Sequence, residues 1–149
     1  MTHPPKALVI GGSLGGLFAA NLLSRAGWDV DVFERAAEEL EGRGAGIVTH
    51  PELFDALELA GIAVTDDLGV AVQERITLGP DGSTIARRTL PQVLTAWSRI
   101  YHALRSALPA RRYHTGKQLE DVTQLHGGAE VRFADGERRV ADLVVAADG

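Results

Sequence analysis

Hydrophobic positions along this chain change period several times, and each change marks an element. Residues 6–11 and 143–147 are apolar almost without interruption, as strands buried on both faces of a parallel sheet should be. Between residues 14 and 26, Leu14, Leu17, Phe18, Leu22 and Ala26 recur at helical spacing, and Gly27 supplies a stop. A second strand is expected over 29–33. Residues 38–46, polar and glycine-rich, read as a loop. Pro51 opens a second helix behind a Thr49 or His50 cap, with Leu53, Leu57 and Ala60 on its buried face and Gly61 at its end.

The second half is richer in strands. Residues 71–89 read as a hairpin around the turn Gly79-Pro80-Asp81-Gly82. Thr95 is a candidate cap for a third helix reaching Leu108, with Trp97, Ile100, Leu104 and Leu108 at helical spacing. Short strands follow at 111–115, 118–125, 129–134 and 138–147, with glycine turns at 127–128 and 136. The last of them belongs in the central sheet.

One junction carries chemistry. Val9-Ile10-Gly11-Gly12-Ser13-Leu14-Gly15-Gly16-Leu17 joins a buried strand to a helix through a glycine-rich turn, and Glu34 ends the next strand. This is the plan of a dinucleotide-binding βαβ unit. Gly11 allows the tight turn and Gly16 close helix packing, while the helix N-terminus offers N–H groups to a pyrophosphate. Glu34 stands where an acid accepts hydrogen bonds from ribose hydroxyls. Ser13 replaces the second glycine of G-x-G-x-x-G, and its hydroxyl can itself donate to a phosphate oxygen.

Composition narrows the field. The chain has 149 residues, 45% of them hydrophobic, enough for one domain with a core over 1–149. A net charge of −5 without a basic stripe argues against nucleic acid. There is no cysteine, which excludes disulfides and thiolate chemistry. No apolar run is long enough to span a membrane, so a cytoplasmic protein without a membrane partner is expected. The acids at 38, 39 and 41 show no metal-ligand spacing, and no metal site is expected.

The opening motif, Val32-Phe33-Glu34-Arg35, and the closing Asp142-Leu143-Val144-Val145-Ala146-Ala147-Asp148-Gly149 together resemble the class A flavoprotein monooxygenases, the FAD-dependent aromatic hydroxylases. The resemblance covers the whole chain. It implies a Rossmann-like three-layer α/β fold with an inserted β-meander, and FAD as cofactor. Gly11, Ser13, Leu14 and Gly16 would meet the pyrophosphate, Glu34 the adenosine ribose with Arg35 beside it, and Asp148 the second fingerprint near the pyrophosphate. Gly46, Ile47 and Val48 would pass the ribityl chain and flavin, and Leu119 would offer its backbone to adenine. Tyr101 stands where the family carries an arginine facing the cofactor and would act through its hydroxyl.

The implied activity is hydroxylation of an electron-rich aromatic or hydroxypyridine ring through a C4a-hydroperoxyflavin. NAD(P)H is the co-substrate, a small aromatic or N-heteroaromatic ring and O2 the partners, and a homo-oligomer the expected assembly. The family's Gly-Asp motif and substrate domain do not occur in this sequence, so no catalytic residue is named. The chain alone is expected to expose an apolar flank at its last strand, to self-associate and to hydroxylate nothing. Two alternatives stand beside this: an NAD(P)-dependent Rossmann dehydrogenase, and a non-catalytic dinucleotide-binding fragment. Arg43 is either a surface charge or a nucleotide contact. His50 is expected to cap a helix, and Trp28 and Trp97 to pack rather than stack on a cofactor.

Overall fold

Strands that are apolar at every position need cover on both faces, and the chain supplies a different layer for each. The computed structural model describes residues 3–38, 40 and 45–149. In order, the elements are β1 (Lys6–Ile10), α1 (Leu14–Arg25), β2 (Asp29–Phe33), β3 (Gly46–Val48), α2 (Pro51–Leu59), β4 (Val70–Leu78), β5 (Thr84–Ala96), α3 (Trp97–Ala107), β6 (Tyr113–His114), β7 (Leu119–Leu125), β8 (Gly128–Phe133), β9 (Arg138–Ala141) and β10 (Leu143–Ala146). A parallel sheet of order β10-β1-β2-β6 forms the middle layer.

Alternate residues of the central strands serve opposite faces. Ala7, Val9, Val30 and Val32 pack with Leu17 and Ala20 of α1 and with Ile100 and Leu104 of α3. Leu8, Ile10 and Phe33 pack instead against Val131, Phe133 and Ala141 of the antiparallel meander β7-β8-β9. The Phe33 and Phe133 rings lie 4.7 Å apart, centroid to centroid. Asn21, buried in α1, donates to the carbonyls of Leu17 and Leu104 and so ties α1 to α3. Asp31 is also buried in β2, where Arg112, His114 and Lys6 surround its carboxylate. The expected three-layer fold with a meander before the last strand is the observed one.

Three local expectations change. The expected strand over 138–147 is two strands. At Asp142 the chain leaves the meander for the central sheet, locked by Lys6 N–H donating to Asp142 Oδ2 at 2.7 Å and Asp142 N–H to Lys6 O at 3.0 Å. The hairpin does not stop at residue 89. Pro91 lies where the β4–β5 register shifts between Val72 and Glu74, so its missing N–H costs no ladder bond and β5 runs on to pair with β3. Thr95 therefore sits inside a strand. Its hydroxyl donates to Leu68 O, and α3 begins after Ala96 without a side-chain cap.

His50 does occupy the N-cap of α2, but its ring caps nothing. Nδ1 instead meets Glu52 at 3.0 Å, and the Thr49 hydroxyl donates to Val93 O. The expected apolar flank on the last strand is also displaced. Leu143, Val144 and Val145 are partly buried, while Val70, Leu78 and Ile85 of the β4–β5 ribbon are each more than 60% exposed. Among the described residues no helix is long and apolar enough to cross a membrane.

Phe133 is fully buried at the meeting of the meander and the parallel sheet. Phe133→Ala should lower the unfolding free energy by about 3–5 kcal/mol, measured by chemical denaturation.

Candidate functional site

A cleft of about 450 Å³ opens where β1, β2 and β10 end, at the carboxyl edge of the parallel sheet. Open α/β sheets bind ligands at this edge. Its floor is the glycine-rich turn between β1 and α1. Gly11 has φ +106°, and a Cβ there would overlap the Ala147 carbonyl of the chain leaving β10. A Cβ on Gly16 would overlap the Gly11 carbonyl, so α1 starts almost on top of β1 only because residue 16 is glycine. Ser13 has φ −80°, an extended conformation that needs no glycine. It is the N-cap of α1, yet its side chain makes no cap hydrogen bond, and it lines the cleft. The first turn of α1 carries no acid, so nothing there opposes an anion at the helix N-terminus.

Glu34 forms the second wall. Its backbone is bracketed by β6 and the segment after it: Glu34 N–H donates to His114 O and Lys117 N–H to Glu34 O, each at 2.8 Å. The carboxylate is buried, accepting Gly12 N–H at Oε2 and Ala36 N–H at Oε1, both at 2.8 Å. A carboxylate has about four lone-pair sites, so two remain for further donors. Gly12 is held from its other end too. The Tyr113 hydroxyl donates to Gly12 O at 3.1 Å, and a Cβ on Gly12 would overlap that hydroxyl. Burial pushes the Tyr113 phenol far above its usual range, so it stays protonated.

The third wall is apolar, with Phe33, Leu40 and Leu119 joined by Gln118. Lys117 lies at its rim. The Asp135 and Glu137 carboxylates grip the Lys117 ammonium and raise its pKa above the usual lysine value. Among the described residues, Arg35 is the other cation lining the cleft. Trp97 closes the side opposite the meander, its ring stacked on Tyr101 at 4.9 Å between centroids.

Residues 5–149 match the FAD binding domain family. The chain belongs to that family. It is 36% identical over 145 residues to 2,6-dihydroxypyridine 3-monooxygenase of Paenarthrobacter nicotinovorans, covering 97% of this chain and 36% of that protein. The solved structure of 2,6-dihydroxypyridine-3-hydroxylase from Arthrobacter nicotinovorans superposes with a TM-score of 0.87 at 35% identity, over 99% of this chain and 37% of that one. The tetrameric form of 2-methyl-3-hydroxypyridine-5-carboxylic acid oxygenase gives 0.79 at 29% identity, over 99% and 40%. The chain thus spans little more than a third of the length of these relatives.

The residues present fit the adenosine diphosphate half of FAD. The floor offers a helix N-terminus and a serine hydroxyl uncommitted to capping, Glu34 keeps lone pairs for hydroxyls, and the Phe33–Leu119 wall is apolar. Gly11, Ser13, Glu34, Arg35, Leu119 and Asp148 all line the cleft. Leu14 and Gly16 lie behind it, in the first turn of α1 and against the core. Gly46, Ile47 and Val48 form β3 in a separate sheet, which approaches the cleft through Trp97 N–H donating to Ala45 O at 3.2 Å. Tyr101 is fully buried beneath Trp97, its hydroxyl turned to Tyr113 and not to the cleft.

Arg43 and most of the glycine-rich loop lie outside the described residues. Sequence patterns alone do not single out Phe33, Lys117, Gln118, Trp97 or the Tyr113–Gly12 bond. A signal for the last was present: Gly12 fills a position that the fingerprint leaves open to any residue.

Glu34→Ala should weaken binding of both ADP and FAD by about 1–3 kcal/mol, the cost of unpairing hydrogen bonds to a charged group. Ser13→Leu should abolish ADP binding, and Ser13→Gly should preserve it. Isothermal titration calorimetry reads all three.

Proposed function

We propose that this chain is the FAD-binding part of an NAD(P)H-dependent monooxygenase that hydroxylates an electron-rich hydroxypyridine or related aromatic ring. The observation that carries this is the cleft itself, a glycine-cradled helix N-terminus facing a strand-end glutamate, in a chain 36% identical to a dihydroxypyridine monooxygenase. The overall reaction takes ring C–H, O2, NAD(P)H and a proton to ring C–OH, NAD(P)+ and water. Bound FAD supplies the redox chemistry, accepting hydride equivalents from NAD(P)H and passing electrons to O2.

The chain's own residues bind and orient. Ser13 and the start of α1 hold the pyrophosphate with neutral donors. Glu34, with Arg35 beside it, would accept the adenosine ribose hydroxyls, and Phe33, Leu40 and Leu119 would enclose the adenine. Asp148, leaving β10 beside Gly11, would stand near the pyrophosphate, and Gly46, Ile47 and Val48 of β3 would pass the ribityl chain and flavin. The protein works as a homo-oligomer, a reading supported by the tetrameric relative.

Calorimetry with FAD, NAD and NADP on the same protein tests the cofactor, and FAD should bind most tightly. Tight NAD binding with no response to FAD would favour a dehydrogenase instead. The reaction is tested on the whole protein that carries this domain. NAD(P)H oxidation should rise with hydroxypyridines, and labelled O2 should leave one labelled oxygen on the ring.

A further inference from the structure

We propose that Tyr113 is a positioning residue for the pyrophosphate-binding turn: with Glu34 it clamps both ends of Gly12, so that the Ser13 N–H is presented to the cleft. Glu34 Oε2 accepts from Gly12 N–H at 2.8 Å, and Gly12 O accepts from the Tyr113 hydroxyl at 3.1 Å. There are no cis peptide bonds among the described residues. In a trans peptide the C=O and the following N–H point in opposite directions. Pinning Gly12 C=O toward Tyr113, whose ring belongs to the helix-side core, therefore turns Ser13 N–H the other way, to the side on which Ser13 lines the cleft.

The clamp explains one feature of the fingerprint. The open position is glycine here because the Tyr113 hydroxyl occupies the space of a Cβ. Ser13, at φ −80°, needs no glycine. Tyr113 is itself held. Its ring packs under the Arg105 guanidinium, 4.4 Å from the centroid, and Tyr101 Oη lies 3.4 Å from Tyr113 Oη. Since Tyr113 gives its proton to Gly12 O, the Tyr101 hydroxyl is the donor in that pair. Tyr101 then acts on the pyrophosphate site at second hand, through Tyr113, and Trp97 stacked on it links the chain of hydroxyls to the cleft wall.

The inference rests on assigning the cleft to the adenosine diphosphate half of FAD, and the experiment separates the two. ADP and adenosine are titrated into the wild-type protein, Tyr113→Phe and Tyr101→Phe by calorimetry. Tyr113→Phe keeps the ring and removes the donor. It should lower ADP affinity about tenfold, the loss of one well-placed hydrogen bond, and leave adenosine affinity within about twofold. Tyr101→Phe should lower ADP affinity by about threefold in the same selective way, and it decides the matter if Tyr113→Phe does not fold.

Equal losses for ADP and adenosine would reduce Tyr113 to a packing residue and overturn the clamp. Unchanged ADP affinity in Tyr113→Phe would overturn it as well, leaving the site assignment standing. A wild-type protein that binds no ADP would overturn both.

Discussion

The site depends on two missing β-carbons. Gly11 must pass beside the Ala147 carbonyl, and Gly16 must rest on the Gly11 carbonyl. These approaches bring the end of β1, the end of β10 and the start of α1 to one point. With a methyl group at either glycine, the helix would have to withdraw and its N-terminal N–H groups would no longer face the edge of the sheet. The parallel register of β10 with β1, Ala146 beside Ile10, is the complement of this contact and brings Asp148 to the cleft.

The position of Glu34 is set by distant parts of the chain. Glu34 ends β2, but its position is fixed by β6 and the turn after it, which bond its backbone on both sides. The segment from Lys117 to Leu119 then continues directly into the meander and becomes the apolar wall. Acid and adenine-facing wall are therefore one structural unit, joined by the short β2–β6 pairing at Val32–Tyr113 and Phe33–His114. Phe33 serves both, lining the cleft with one part of its ring and packing on Phe133 with another. Meander packing and nucleotide recognition share that side chain.

What the sequence revealed was local, and what it hid was paired across distance. The β1 turn, α1 and β2 were legible because their signals are contiguous: an apolar run, glycines at fixed offsets, helical spacing, a glycine stop. The break at Asp142 was hidden, because two strands in different sheets can follow one another without a turn residue. The hairpin reads as ending at residue 89, where the structure has a register shift between Val72 and Glu74, since a bulge depends on pairing with the partner strand. Trp97 reads as a packing residue by helical spacing, and it does pack on Tyr101, but its other side lines the cleft. Tyr101 followed the resemblance to the cofactor face, whereas its complete burial directs its hydroxyl to Tyr113.

Charge explains why backbone direction matters so much here. An acid stands close to the place of a dianionic pyrophosphate, and the ammonium of Lys117 is already engaged by two carboxylates. The Glu34 charge is offset by the two amide N–H groups it accepts, and the first turn of α1 adds no further acid. In the proposed site the start of α1 meets the phosphates with neutral donors and the helix dipole, and such hydrogen bonds weaken steeply when an N–H is badly misaligned. A cation attracts an anion from any orientation, whereas a peptide N–H must point toward its acceptor, and the Tyr113 hydroxyl buried in the core sets that direction for the Gly12–Ser13 peptide.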